Sequence, residues 1–237
     1  MINYKQKFAD KQSLSGDLVS FIKQQILEGE LNPGDRIVET KLAKDLGISQ
    51  TPVREAVRQL SGEGIVKIVP NKGSFVRSLS AKDVFEIYSL RAVMEGLAIR
   101  LATQNATADD IKELEAFYNN MKEKLNDDSV ETLTNDSAHI HQIIYNLSNH
   151  TQLINMYKSI SFQISLVNRI LGAKYTKLQE VEEHEDVIEA FKSRNPDYAE
   201  KVMRDHIYRS YQRYVTYTEL DKKSNQNTFQ YSQLFPK

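Results

Sequence analysis

Apolar residues recur along most of the chain at the three- and four-residue spacing of an amphipathic helix. Leu14, Leu18, Ile22 and Ile26 form one such stripe, with Val19 and Phe21 nearby, and predict a helix over about 14–28. Gly29 ends it, and Pro33-Gly34 marks a turn. Leu42, Ala43 and Leu46 make a second, shorter stripe, closed by Gly47 where a left-handed C-terminal cap is wanted. Thr51 then reads as an N-cap and Pro52 as the first helical residue, where a missing N–H costs nothing. Val53, Ala56, Val57 and Leu60 line the buried side of this third helix. Its other side carries Gln50, Thr51, Arg54, Glu55, Arg58 and Gln59. Beyond it the period changes. Ile65–Val69 and Ser74–Arg77 are short β-type runs flanking a tight turn, Pro70-Asn71-Lys72-Gly73.

From Ser80 the pattern is helical throughout, and it predicts six helices, at about 81–103, 107–126, 131–148, 150–171, 175–193 and 196–218. Ser80 with Asp83 and Thr107 with Asp110 read as capping boxes, and Asn195-Pro196 as an N-cap followed by proline. The fold class is therefore mainly α. A winged helix-turn-helix occupies residues 1–79, and an all-α antiparallel six-helix bundle occupies 80–220. Residues 1–12 read as a polar arm and 221–237 as a polar tail.

A bracing helix followed by a short helix with a polar outer face is what a reader of the DNA major groove requires. An ordinary αα-hairpin has the same pattern, so charge matters. The whole chain carries a formal −1, which does not favour nucleic acid. Its halves differ: 12 basic and 9 acidic residues through Leu79 leave +3, and the remainder carries −4. A basic head on an acidic body fits a DNA binder, although an excess of that size decides little alone. With 40% hydrophobic and 27% charged residues, the composition is globular. No apolar run approaches the ~20 residues that span a bilayer, so no membrane role is expected. The N-terminus lacks the apolar segment of a signal peptide. There is no cysteine, which excludes disulfides and thiolate chemistry and is compatible with a cytoplasmic location.

The segment Leu14–Arg77 resembles the winged helix-turn-helix head of the GntR family of bacterial transcription regulators. Pro33-Gly34, the run Thr51-Pro52-Val53-Arg54-Glu55-Ala56 and the wing Gly73 all stand in that family's register. Residues 83–217 resemble the helical effector-binding domain of the FadR subfamily, the FCD type, and six helices match its shorter, VanR-like version. Arg91-Ala-Val-Met-Glu95, His141-Gln-Ile-Ile-Tyr-Asn-Leu-Ser148 and the segment Glu183–His206 carry this second likeness.

The resemblance implies a regulator that binds an inverted-repeat operator as a homodimer, with GT…AC elements. Arg54 is the expected direct reader, since arginine pairs bidentately with guanine O6 and N7. Gln50 departs from the family's arginine and shifts one contact towards adenine. Thr40, Thr51 and Arg58 are expected at phosphates or secondary positions, and Lys72 with Gly73 places the wing.

Of five histidines, His141, His184 and His206 lie on apolar stripes of three separate helices, with Ile144, Val187 and Met203 among their neighbours. Neutral imidazoles converging in a bundle suit zinc or a similar divalent ion, nickel or manganese included. Spacing alone does not establish that they converge. In metal-binding members of the family these three histidines act with an aspartate four residues before the first. That position is Ser137 here, and Asp136 stands one residue further back, about 100° around a helix. Asp136 is therefore expected as a ligand only if it reaches across that offset, with His139 as its alternative. Arg91 corresponds to a residue that holds a small organic acid effector; a salt bridge to Glu95, four residues on, is its plainer role. Three readings stay open: a sensor in which metal and acid act together, a metal-dependent hydrolase with Glu183 or Glu185 as base, and a structural metal with no effector.

Overall fold

A computed structural model describes residues 14–172 and 176–218. The expected polar arm and the polar tail lie outside these. The chain divides at Leu79/Ser80 into two compact units.

In the first unit, α1 (Leu14–Glu28) packs on the third helix through Leu18, Ile22 and Ile26, all fully buried. The helix-turn-helix is α2 (Glu39–Leu46) and α3 (Gln50–Gly62). Gly47, at φ 70°, ends α2 in the left-handed region. Ile48 N–H then reaches back to Ala43 O at 3.0 Å, and Gly47 N–H to Lys44 O at 3.2 Å, which is a Schellman closure. The start of α3 corrects the expected cap. Ser49 stands at the N-cap and the helix begins at Gln50, so Pro52 is third rather than first. A proline is tolerated there because the first four N–H groups of any helix lack intrahelical acceptors.

The wing has three strands, not two. β1 (Arg36–Ile37), β2 (Val66–Val69) and β3 (Gly73–Val76) form an antiparallel sheet in the order β1-β3-β2. Val69 pairs with Gly73 across the turn, where Asn71 takes φ 61°. Two residues carry no visible alternation, which is why β1 escapes a reading of the pattern.

The second unit is helical: α4 (Ala81–Asn105), α5 (Ala108–Glu123), α6 (Thr134–Leu147), α7 (Thr151–Gly172), α8 (Lys177–Lys192) and α9 (Pro196–Thr218). A single 3₁₀ turn, Lys124–Asn126, follows α5. Ser80/Asp83 and Thr107/Asp110 both form complete capping boxes, and Thr176/Gln179 forms a third at α8. Asn195 caps α9, accepting from Tyr198 N–H at 3.1 Å. Helix α4 is the core element, with α6, α7, α8 and α9 packed on it. Gly96 allows its close approach to α9: a Cβ there would stand 2.8 Å from Arg204 Nε. The faces of α6, α8 and α9 turned inward carry the three histidines.

Candidate functional site

Two sets of side chains stand out, one in each unit. In the first, packing of Val53, Ala56, Val57 and Leu60 into the core leaves Gln50, Thr51, Arg54 and Arg58 exposed on α3. Thr40 is exposed on α2, and Lys72 at the wing tip. Gly73 is half-buried at φ 104°, a conformation that favours glycine. Arg54 is already oriented: its Nε lies 3.2 Å from Glu39 Oε2, and its Nη2 donates to Gln50 Oε1 at 3.2 Å. Glu39 also accepts from Ser74 Oγ on β3 at 3.3 Å, so one carboxylate ties the exposed helix to the wing. Glu39 is a residue the pattern did not single out; its signal is an acidic residue at the first position of a helix.

In the second unit, His141 from α6, His184 from α8 and His206 from α9 meet in the interior, all buried. Among the described residues, these three form a group whose ring nitrogens lie within 4.8 Å of one another. His141 Nε2 is 3.2 Å from His184 Nε2 and 3.3 Å from His206 Nε2.

The protons can be placed from the opposite ring atoms. His184 Nδ1 lies 2.7 Å from the Glu180 carbonyl oxygen, which only accepts, so Nδ1 carries the proton. His141 Nδ1 lies 2.6 Å from Glu95 Oε2, an ion-pair distance off the line of a good hydrogen bond. Burial pushes the Glu95 carboxyl up, but Arg91 and His141 outweigh it and hold it at about 2. An ionised carboxylate likewise demands a proton on the facing Nδ1. His206 Nδ1 is 3.7 Å from Glu183 Oε2. Burial, with the neighbouring His141, pushes His184 down to about 3, and burial with both neighbours pushes His206 well below its ordinary value. With its proton on Nδ1, His184 turns the Nε2 lone pair towards His141 Nε2 and the meeting point of the three rings. That arrangement suits a cation, and metal-ligating histidines commonly give their far N–H to a carbonyl or carboxylate, as His184 does to Glu180.

The adjoining cavity, about 440 Å³ with its mouth, is lined by Arg91, Ser137, Asn168, Glu180, Glu183 and the histidines. Arg91 Nε binds Glu95 Oε1 at 2.7 Å, both side chains buried. Asp136 is not brought to the cluster. It turns to Lys124 Nζ at 2.7 Å, and Ser137 takes the inward position, because one residue rotates the direction by about 100°. His139 packs on Phe117, with ring centroids 4.9 Å apart. His150 Nδ1 accepts Leu153 N–H at 3.2 Å, helping to start α7. Glu95 and Glu180 were not singled out as site residues; only Glu95's spacing from Arg91 hinted at its place.

Residues 14–76 match the family described as bacterial regulatory proteins, gntR family, and residues 86–209 match the FCD domain. The chain belongs to the GntR family, with an FCD domain. The HTH-type transcriptional regulator YdhC of Bacillus subtilis is 31% identical over 191 residues, 78% of this chain and 84% of that protein. The Nta operon transcriptional regulator of Aminobacter aminovorans is 39% identical over 132 residues, 56% of this chain and 62% of that one. The solved structure of E. coli McbR/YncC superposes with a TM-score of 0.68 at 26% identity, covering 85% of this chain and 99% of that one. This GntR regulator is accordingly a DNA-binding transcription regulator, and its family and relatives are regulators rather than enzymes. No helix among the described residues is long and apolar enough to cross a membrane.

Proposed function

We propose that this regulator, working in the cytoplasm as a homodimer on an inverted-repeat operator, senses a small carboxylate metabolite at the three-histidine cluster with a divalent metal. The observation that supports the reading is the convergence of three buried imidazoles from three helices, with His141 Nε2 3.2 Å from His184 Nε2 and 3.3 Å from His206 Nε2. Zinc is the first choice for imidazole nitrogen without thiolate, with nickel and manganese as alternatives. His141, His184 and His206 would hold it, and a bound divalent ion would supply open positions for a carboxylate. Asn168 and Ser210 line the same cavity and offer hydrogen bonds to the rest of the acid.

The hydrolase alternative fares worse. A water-activating base must be free to take a proton. Glu183 is held by Arg209 at 3.2 Å and by Arg213, and Glu185 is exposed and faces Lys122 at 3.6 Å. The homodimer draws support from a stripe on α4, where Leu90, Val93 and Leu97 are 51, 48 and 38% exposed within two turns. Two antiparallel copies of that stripe would cover each other's apolar side chains about a two-fold axis. Two heads then read two half-sites, and an acid acts by favouring one arrangement of them.

The test measures operator affinity of metal-loaded and chelated protein across a set of small organic acids, then recovers the acid for mass spectrometry. A metal-dependent shift in affinity with the acid unaltered supports the sensor. Many-turnover conversion supports a hydrolase, and metal binding with no acid response supports a structural ion.

A further inference from the structure

Three buried carboxylates stand around the histidine cluster, and two of them already face cations. Glu95 meets Arg91 at 2.7 Å and His141 at 2.6 Å. Glu183 meets Arg209 at 3.2 Å and also Arg213. Asp136 faces Lys124 at 2.7 Å. Glu180 differs from all of these. It is 8% exposed, and its oxygens accept from two hydroxyls, Ser137 Oγ at 2.5 Å and Thr134 Oγ1 at 3.1 Å. Among the described residues it enters no ion pair. A carboxylate taken out of water without a cation is costly, so its persistence here calls for a reason.

Position supplies one. Glu180 precedes His184 by one turn of α8, and its own carbonyl takes the His184 Nδ1 proton at 2.7 Å. The same residue therefore orients a ring and brings a carboxylate to the cavity. Ser137 stands on α6 one turn before His141 and holds the Glu180 side chain across the gap between the two helices.

We infer that Glu180 is the carboxylate ligand that completes the three-histidine centre, with Ser137 and Thr134 as the residues that position it. The inference rests on the metal reading above. The carboxylate lies on hydroxyls beside the cluster, outside the group of ligand atoms within 4.8 Å of one another, so ligation turns the side chain inward and exchanges those two hydrogen bonds for the cation.

The experiment titrates the full-length protein with Co²⁺, reading visible absorption, and measures Co²⁺ affinity by competition with a chromophoric chelator. Far-UV circular dichroism checks that each variant folds. E180Q keeps the shape and a hydrogen-bonding amide, so it should fold. It should weaken Co²⁺ by at least about tenfold, the lower bound even for an outer-shell partner, and shift the visible bands. D136N should bind within about twofold of the parent, a small change beside that tenfold scale. Parental affinity and spectrum in E180Q would overturn the assignment, as would a loss in D136N of the size expected for E180Q. A parent chain that binds no Co²⁺, or an H184A variant that binds like the parent, would instead remove the metal reading and this inference with it. H184A losing the ion while E180Q keeps it would remove Glu180 alone.

Discussion

Arg54 is exposed and held by Glu39 and Gln50, so its guanidinium is oriented before any base is present. Arg54→Ala should cost about 1–3 kcal/mol on a cognate palindrome and relax one base position. An unchanged binding isotherm would take Arg54 out of the reading set. Lys72→Ala, at the wing tip, should weaken all sequences alike and lower the salt slope by about 1. In the other unit the buried histidines set a pH dependence. His184 sits at about 3, and His206 is shifted in the same direction. The unfolded chain therefore binds more protons than the folded one below about 6.5, so the stability of metal-free protein is full above that pH. It should fall as pH drops from about 6.5 towards 3, visible as a falling thermal midpoint. A midpoint flat from pH 7 to pH 5 would contradict buried neutral rings. These three histidines were legible in the sequence because each sits on an apolar stripe. The carboxylates were not. Periodicity tells which face a residue takes, but not that Lys124 claims Asp136 or that Ser137 stands inward beside Glu180.

Helix boundaries show the same division between local and distant causes. Ser80, Thr107 and Asn195 announce their helices because a cap is a matter of three neighbouring residues. All six helices of the second unit fall within a few residues of their expected places, and Leu14–Glu28 does so in the first. The Thr176/Gln179 box was equally readable, since it too is local. Strand β1 depends on pairing with β3 nearly forty residues away, as Arg36 with Phe75, and no local signal marks it. The caps allow direct tests. Ser80→Ala should destabilise the helical unit by about 1 kcal/mol, read as a lower denaturant midpoint at unchanged slope. Gly47→Ala forces a Cβ into the left-handed region at φ 70° and should cost about 1–2 kcal/mol. Its effect should reach operator affinity, because this turn sets the angle between α2 and α3. A Gly47→Ala protein as stable as its parent would mean that the turn can relax.

For the whole molecule, the proposed self-association is the property most exposed to a single change. Val93 lies at the centre of the apolar stripe on α4 and is 48% exposed. Val93→Asp should leave the fold intact and shift sedimentation towards the monomer, with operator affinity falling alongside. A dimer that survives this substitution would place the two-fold interface elsewhere. The histidine positions carry a different consequence. They lie on three helices, 43 and then 22 residues apart along the chain. An ion bound to all three would close two long loops, in a protein that has no cysteine with which to do so covalently. Unlike a disulfide, this cross-link responds to the concentration of free ion rather than to redox poise. Starved of metal, the helical unit would open more often and meet proteases more often. The regulator's lifetime in the cell would then follow metal supply, and its abundance could report on the ion before any acid arrives.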